Sequence, residues 1–319
     1  MGLWQLRLSM LGTLALIISL STVFFTAVMW WFGVDLMLMP IFVIGFNLIQ
    51  WLIAPYLIDA MYRVREVSRS EKPQLHDMIE RLSQKSGINK PRVMVANMPI
   101  PNAFAYGSPI AGSRVAVTSE LLNTLDEEEV EAVVGHELGH LKHRDVQVMM
   151  FVSILPAVFY YIGYSMLWSS YRGRDNRGSG GAAAIAALSM LMYFVLTMFT
   201  LYMSRLREYF ADRHSASIVD EGPRKLSEGL TKIVDYTRKA KQTRRNVGTA
   251  GSFKALFISD PDRAELDSAA ISQAVGFRAD RKLVEDVLRR DVTAMDRLAE
   301  LFSTHPNIVK RLKALQKLA

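Results

Sequence analysis

The sequence predicts an α-rich α+β protein, in which a polar domain with a small sheet is joined to about four transmembrane helices. Hydrophobic residues make up 50% of the 319 residues, and the mean hydropathy of +0.14 is high for a water-soluble domain of this length. Charged residues still make up 22% of the chain, so a polar domain must accompany the apolar segments. Short stretches with strand character between helical patterns indicate the small sheet.

Four uncharged stretches are long enough for helices that cross a bilayer, which needs about 20 apolar residues. They cover residues 8–32, 36–58, 146–171 and 178–204, and the last has its most apolar part at 185–203. The first stretch is predicted to be a retained span and not a cleaved signal peptide. Its apolar run is long, no small-residue cleavage site follows it, and Trp30 and Trp31 suit an interfacial anchor.

The distribution of cations predicts which side of the membrane the polar segments occupy. After the second span come Arg63, Arg65, Arg69 and Lys72. The positive-inside rule therefore places the N-terminus and residues 59–145 in the cytoplasm, and residues 205–319 as well if the later two spans both cross. The loop between those spans contains Arg172, Arg174 and Arg177, which the rule disfavours outside. A hairpin that enters the membrane only partway therefore remains an alternative.

The predicted organisation has four parts. Residues 1–60 form a transmembrane hairpin, 61–145 the first part of a cytoplasmic domain, 146–204 a second hairpin, and 205–319 the second part of that domain. Helices are predicted at 73–86, 204–219 and 223–239, and strands at 92–96, 103–106 and 114–118. Another helix should begin after Asp126, a good N-cap, and run to Asp145 and on into the third span.

One helical motif carries the chemistry of a metal site. The chain has no cysteine, which excludes disulfides and thiolate ligands, so any metal must be bound by histidine and carboxylate. His136 and His140 are four residues apart and face the same side of a helix, where two imidazoles can bind one Zn²⁺. Glu137 between them is placed to act as general base on a water that the metal polarises.

A catalytic zinc needs a third protein ligand and an open fourth position. Val146 stands where a histidine six residues after His140 would be needed, and His143 lies a further turn along, where it is predicted to be an interfacial or surface residue. The best candidate is Glu208, with Asp212 four residues later on the same helical face. Asp212 is predicted to accept a hydrogen bond from a ligand histidine and fix its tautomer.

These motifs, in this order, resemble the HtpX-type membrane zinc metalloproteases, which are relatives of the CAAX prenyl endopeptidase. The resemblance covers nearly the whole chain, including the segments Asn102–Ala105 and Phe302–Pro306. It implies a gluzincin-like fold, one zinc per chain, and cleavage of peptide bonds in membrane proteins as part of quality control under stress. By matching motif, the ligands are His136, His140 and Glu208, and the catalytic base is Glu137.

Two further roles follow from the resemblance. His305 is expected near the substrate, where it could donate to the oxyanion, with Arg311 in support. An extended substrate is expected to lie along the sheet edge by β-strand addition. The residues of that edge are Asn102, Ala103, Phe104 and Ala105.

The sequence thus predicts a multi-pass protein of the cell membrane whose active site faces the cytoplasm and whose partners are polypeptides, misfolded membrane proteins above all, and the lipid bilayer. If the helices are continuous, the zinc lies within about 9 Å of the ends of its spans. Nucleic acid is not expected, because no aromatic residues interleave with the basic ones at 237–251. The alternatives are a non-catalytic scaffold or chaperone partner that retains the zinc site and an intramembrane protease, which the charges bracketing the motif disfavour. A transporter is disfavoured because the spans lack ionisable residues.

Overall fold

The computed structural model describes residues 38–172, 179–242 and 280–319. The first predicted span, at 8–32, lies outside the described residues, and so does most of the basic segment at 237–251. The chain divides into two compact units. One, here called the polar unit, combines residues 52–146 with 205–319; the other combines residues 2–51 with 147–204.

The first half of the described chain contains the sheet. Its elements are α1 (Leu38–Tyr62), β1 (Val64–Glu66), α2 (Pro73–Ser86), β2 (Arg92–Ala96), β3 (Ala103–Ser108), β4 (Gly112–Thr118), α3 (Ser119–Thr124) and α4 (Glu127–Lys142). The three predicted strands and both predicted helices of this region are present. Strand β1 and helix α3 were not predicted, because three and six residues are too few to show a hydrophobic period.

The described residues of the second half form helices joined by short turns, with no strand among them. Its elements are α5 (Asp145–Arg172), α6 (Ser179–Ile218), α7 (Gly222–Gln242), α8 (Asp280–Leu288), α9 (Ala294–Leu301) and α10 (Ile308–Gln316). The helix predicted at 204–219 is the last part of α6, and the one predicted at 223–239 corresponds to α7. The protein is therefore helix-rich with one small mixed sheet.

The sheet has the strand order β1-β2-β4-β3. Strand β2 pairs in parallel with β4, while β1 and β3 are antiparallel to their neighbours. Strand β3 is consequently an edge strand, with Ala105 opposite Val115 of β4. An edge strand leaves alternate backbone groups unpaired by the sheet, so one side of β3 carries a row of donors and acceptors without a strand partner, although the residues of β3 are mostly buried.

Helix α4 lies at the centre of the polar unit and packs against α2, α7 and the strands β3 and β4. On α2, the four apolar residues predicted to share one face are all buried: Leu75, Met78, Ile79 and Leu82. Gly87 ends α2 with a φ of 65°, a left-handed conformation that glycine adopts without a steric penalty. This packing fixes α4 on several sides and makes it a rigid base for side chains.

The expectation that α4 would continue into the third apolar stretch is wrong. The helix ends at Lys142, His143 caps it, and α5 begins at Asp145. Arg144 between them has a φ of 54°, a left-handed conformation that interrupts the helical hydrogen bonds. The helix that carries Glu208 is unbroken, so the continuity assumed for both ligands holds only for α6.

Two helices among the described residues are long and apolar enough to cross a membrane by length and composition. They cover Asp145–Leu167 and Gly181–Ile218, which correspond to the third and fourth predicted spans. A shorter apolar helix, Leu48–Tyr62, coincides with part of the second. The described residues therefore support two of the four predicted spans. Helix α6 has 40 residues and is about 60 Å long, twice the hydrocarbon thickness, so only its apolar part at 185–203 is predicted to be in lipid.

Candidate metal centre and active site

The start of α4 is fixed by its own acidic residues. Glu127, Glu128 and Glu129 occupy its first turn, where the helix dipole favours negative charge. The backbone N–H of Asp126 donates to the Glu129 carboxylate over 2.9 Å, which sets the residue at which the helix begins. Ten residues later the helix is fully enclosed, and both His136 and Glu137 are buried.

Two glycines bring α4 close to the last part of α6. A Cβ atom on Gly139 would lie 3.0 Å from the Cα of Ala211, and one on Gly135 would lie 3.1 Å from the Ser215 hydroxyl. That hydroxyl donates to the carbonyl of Ala132 on α4 over 2.6 Å. The two helices therefore meet backbone to backbone, which places the motif of α4 against Glu208 and Asp212 of α6.

The donor atoms of His136, His140 and Glu208 converge. The Nε2 atoms of the two histidines are 3.2 Å apart. The Glu208 carboxylate lies 3.6 Å from Nε2 of His136 and 3.5 Å from Nε2 of His140. A tetrahedral zinc with bonds of 2.0–2.1 Å separates its ligand atoms by about 3.3 Å. The three spacings therefore fit a zinc ion, and ligand atoms of His136, Glu137 and His140 also lie within 4.8 Å of one another.

The electrostatics of the pocket also suit a cation. Oε2 of Glu208 is buried, and its nearest charged neighbour among the described residues is a guanidinium nitrogen of Arg311 at 3.2 Å. Burial lowers the pKa of His136, but Asp212 and Glu208 outweigh it and raise that pKa to about 9. Burial and the neighbouring His136 lower the pKa of His140, which favours the neutral imidazole that binds metals.

The first histidine is oriented from behind by an acid and an arginine. Nδ1 of His136 lies 2.9 Å from Oδ1 of Asp212. Arg311 donates to both oxygens of Asp212, over 2.9 and 2.5 Å, and its third nitrogen lies 3.2 Å from Glu208. All of these side chains are buried. Asp212 thus contacts His136, and Arg311 contacts both Asp212 and Glu208.

The second histidine has a partner that the sequence did not reveal. Nδ1 of His140 lies 2.6 Å from Oδ2 of Asp145, and Asp145 in turn pairs with the buried Arg207. Asp145 reaches His140 because the chain breaks at Arg144 and turns back. An acid five residues after the motif is the only signal in the sequence, and a continuous helix would have carried it away from His140.

The candidate base is held by the edge strand. The backbone N–H of Ala105 donates to Oε2 of Glu137 over 2.9 Å, and burial raises the pKa of this carboxyl. Because that N–H points away from β4, the backbone groups of Ala103 and Gly107 do so too. Phe104 instead packs its ring against Tyr62 and Tyr106, with centroids 6.1 and 5.4 Å apart.

Of the remaining residues considered in the sequence, His305 lies beside the candidate metal donors, whereas Asn102 and His143 make other contacts. His305 is buried, and its Nε2 lies 3.7 Å from the Glu208 carboxylate. Asn102 is buried beside the strand, where its backbone N–H donates to the Thr118 hydroxyl and its carbonyl accepts from the Thr118 N–H. His143 is exposed at the end of α4 and contacts Phe210, as a surface residue would.

The family model for peptidase family M48 matches residues 69–319, a segment that contains every one of these site residues. The chain belongs to peptidase family M48. It is therefore a metalloprotease. Members of this family are zinc-dependent, which agrees with the donor set on α4 and α6.

Curated relatives of this M48 peptidase carry consistent names. A protease HtpX homolog from Thermoplasma acidophilum is 36% identical over 100% of this chain and 99% of its own length. One from Aeropyrum pernix is 38% identical over 90% of this chain and 87% of its own length. One from Methanothermobacter thermautotrophicus is 41% identical over 66% of this chain and 79% of its own. Together with the apolar helices, these relatives support a membrane protease.

Among solved structures, the crystal structure of S. mikatae Ste24p is similar with a TM-score of 0.52 and 15% sequence identity. The alignment covers 97% of the M48 chain described here and 65% of the Ste24p chain. At this identity the likeness concerns the fold alone. It extends beyond the peptidase segment to nearly the full length of the chain.

Proposed function

We propose that this protein is a zinc-dependent endopeptidase of the cell membrane that cleaves membrane or membrane-associated proteins on the cytoplasmic side, in membrane-protein quality control. The observation that carries the proposal is the convergence of His136, His140 and Glu208 beside the buried Glu137. Three donors at tetrahedral spacing leave one position for substrate or water, as catalytic zinc sites require. One zinc per chain is proposed.

When bound, zinc would supply a Lewis acid that polarises the scissile carbonyl and makes a water easier to deprotonate. Glu137 would take a proton from that water as its oxygen attacks the carbonyl carbon. It would then pass the proton to the amide nitrogen, so that the C–N bond breaks and the amine leaves. His305, beside Glu208, is proposed to donate to the carbonyl oxygen as negative charge develops there.

We propose that the substrate binds as an additional strand along the side of β3 that faces away from β4. Ala103 and Gly107 offer backbone donors and acceptors there, and Ala105 offers its carbonyl because its N–H is donated to Glu137; an extended polypeptide could pair with these groups by β-strand addition. Of the four residues predicted for this role, Ala103 and Ala105 have outward-facing backbone groups. The ring of Phe104 packs against Tyr62. The backbone of Asn102 is already paired with Thr118 and is therefore not available to a substrate.

The cytoplasmic orientation is proposed from the four cations between Arg63 and Lys72, which the positive-inside rule keeps in the cytoplasm. The proposed domain boundaries follow from it, with membrane hairpins at 1–60 and 146–204 and the two parts of the protease domain at 61–145 and 205–319. An active site on a domain held at the membrane would meet polypeptides that are embedded in it or bound to it. Misfolded membrane proteins are the proposed substrates for that reason.

The test uses the purified full chain with zinc quantification and a quenched peptide substrate. Glu137→Gln should retain one zinc per chain and lose cleavage by several orders of magnitude, because the amide cannot accept the proton. Glu208→Ala should lose both zinc and cleavage. Glu127→Gln is the matched control, since it removes the same charge from an exposed position on the same helix.

The outcomes separate the proposal from its rivals. Full zinc occupancy in Glu208→Ala would remove Glu208 from the ligand set, and cleavage by Glu137→Gln would remove Glu137 as base. Wild-type protein that binds zinc but gives no single turnover would favour the scaffold or chaperone alternative. Wild-type protein that cleaves without bound metal would contradict the zinc site itself.

The substrate strand has its own test in the edge position of β3. Ala105→Pro deletes the N–H that holds Glu137, at an outward-facing site where an edge strand tolerates proline. It should lower kcat while zinc is retained, because Glu137 loses the contact that orients it. Ala103→Pro, which leaves the contact to Glu137 intact, should mainly raise KM. Equal effects of both variants on kcat would contradict a specific role for Ala105.

A further inference from the structure

Helix α9 buries its acidic face and exposes its apolar face. Its acidic residues Asp296 and Glu300 are buried, with only 2% and 8% of their surface exposed. The apolar residues on its opposite face are exposed at 50–72%: Met295, Leu298, Leu301 and the capping residue Phe302. At 100° per residue these four side chains cover a sector of about 120°, which is the width of the apolar stripe that a helix normally buries.

The inward direction of the acidic face is fixed by specific contacts. Asp296 caps the helix through the Thr293 N–H at 2.9 Å and pairs with Arg290 at 3.1 Å. Glu300 accepts from the backbone N–H of Asn307 over 3.2 Å and pairs with Lys310. Turning the helix over would break these bonds and bury unpaired carboxylates, so the apolar stripe is held outward.

The end of α9 is also tied to the point where α6 leaves its apolar segment. Arg205, two residues after Met203, is buried and donates to the carbonyls of Glu300, Leu301 and Ser303 over 2.8, 3.3 and 2.7 Å. These carbonyls are at the C-terminal end of α9, where a helix leaves its last carbonyls without partners four residues on; the Glu300 carbonyl also accepts from the backbone N–H of Ser303 over 3.1 Å. The rise between Met203 and Arg205 is about 3 Å along α6. The residue that holds the end of α9 therefore follows the predicted apolar part of α6 by only two positions in the chain.

We infer that α9 lies on the bilayer surface, with Met295, Leu298, Leu301 and Phe302 inserted among the lipid acyl chains. A short amphipathic helix with an apolar stripe and flanking cations is the form that interfacial anchors take. Arg289 and Arg297, both exposed, stand before and beside the stripe, where anionic headgroups would be. The inference concerns where this helix rests and does not depend on zinc or on cleavage.

The position of α9 has a mechanical consequence for the site. Three residues connect Leu301 to His305, and Nε2 of His305 lies 3.7 Å from the Glu208 carboxylate. A helix anchored in lipid would hold this segment at the membrane surface. Substrate chains leaving the bilayer would then arrive beside His305.

The absence of cysteine makes the test direct, since any introduced thiol is the only one in the chain. Leu298→Cys and Leu301→Cys are labelled with a fluorophore in the full-length protein and reconstituted into vesicles that contain anionic lipid. Lys313→Cys on α10 is the exposed control. Brominated acyl chains should quench the two α9 labels several-fold more strongly than the control, whereas a water-soluble quencher should show the reverse order.

Each other outcome overturns the inference. Labels on α9 that the aqueous quencher reaches freely in vesicles, and that a bound substrate polypeptide protects, would make the stripe a substrate surface. Labels that neither quencher reaches, in vesicles and in detergent alike, would mean that another part of the chain covers it. As an independent readout, Leu298→Asp should reduce cleavage of a membrane-embedded substrate while cleavage of a soluble peptide is retained; equal losses on both would also contradict lipid contact.

Discussion

At the scale of single residues, each histidine of the candidate site is oriented by its own acid, and each acid by its own arginine. Asp212 and Arg311 stand behind His136, while Asp145 and Arg207 stand behind His140. Acid partners fix the tautomer of a ligand histidine and raise its basicity, and their loss commonly weakens metal binding. Burial raises the pKa of Asp212, but Arg311 and His136 outweigh it and lower that pKa, while Arg207 forms an ion pair with Asp145.

Asp145→Asn should therefore weaken zinc binding by about 10- to 100-fold, because a neutral amide is a poorer partner for the His140 N–H. The buried Arg207 would lose its counter-charge, so the melting temperature should fall as well. Zinc affinity is measured by chelator competition and stability by thermal unfolding. Asp220→Asn serves as the control, since the Asp220 side chain is 96% exposed. An unchanged zinc affinity in Asp145→Asn would show that His140 needs no acid partner.

The same residues show what a sequence can predict about a site. His136, Glu137 and His140 follow from helical spacing alone, and Asp212 follows from its offset to Glu208, because the rise and twist of a helix convert spacing into direction. Asp145 does not follow from spacing. Its contact with His140 depends on the left-handed φ of Arg144, and arginine carries no local preference for that conformation.

At the scale of elements, two glycines on α4, which have no side chains, set the distance between α4 and α6. Gly135 and Gly139 face α6 where a methyl group would come within 3.0–3.1 Å of its neighbours. This close helix contact holds the Glu208 carboxylate 3.6 and 3.5 Å from the Nε2 atoms of His136 and His140, the candidate metal donors on α4. The sequence places both glycines on α4, where glycine lowers helical propensity. The structural role that compensates for this cost, the close approach of α6, is visible only in the packing.

Gly139→Ala should separate the two helices by a few tenths of an ångström and destabilise the fold by about 1–3 kcal/mol, as overpacking does. Zinc affinity should fall with it, because Glu208 moves away from the two histidines. Gly45→Ala is the matched control, since a Cβ on that helical glycine meets nothing within 4 Å. That control should be neutral or more stable by up to about 1 kcal/mol. Equal stability and zinc binding in both variants would contradict a spacing role for Gly139.

At the scale of the whole molecule, the two halves of the site are far apart in sequence and come together in one polar unit. Residues 147–204, which belong to the other unit, separate His140 from Glu208. Strands β2, β3 and β4 and helices α2, α4 and α7 on either side could be predicted because each has its own hydrophobic period, whereas β1, α3 and the three short helices α8, α9 and α10 were not predicted. Their assembly into one domain was predicted only on the condition that α5 and α6 return the chain to the side from which it left, and no hydrophobic period decides that condition.

Whether α5 and α6 both cross the membrane can be tested by the side from which engineered cysteines are labelled. The same test locates the loop that contains Arg172, Arg174 and Arg177. Ser70→Cys and Lys317→Cys, exposed positions in the two parts of the polar unit, should react with a membrane-impermeant maleimide only from the cytoplasmic side. Asn176→Cys, between α5 and α6, should react only from the opposite side if both helices cross completely. Reaction of Asn176→Cys from the cytoplasm would mean that α5 and α6 enter the membrane only partway, and the loop arginines would then agree with the positive-inside rule. Labelling of Ser70→Cys and Lys317→Cys from opposite sides would contradict the shared unit, because a chain divided by the bilayer could not bring Glu208 to His136 and His140.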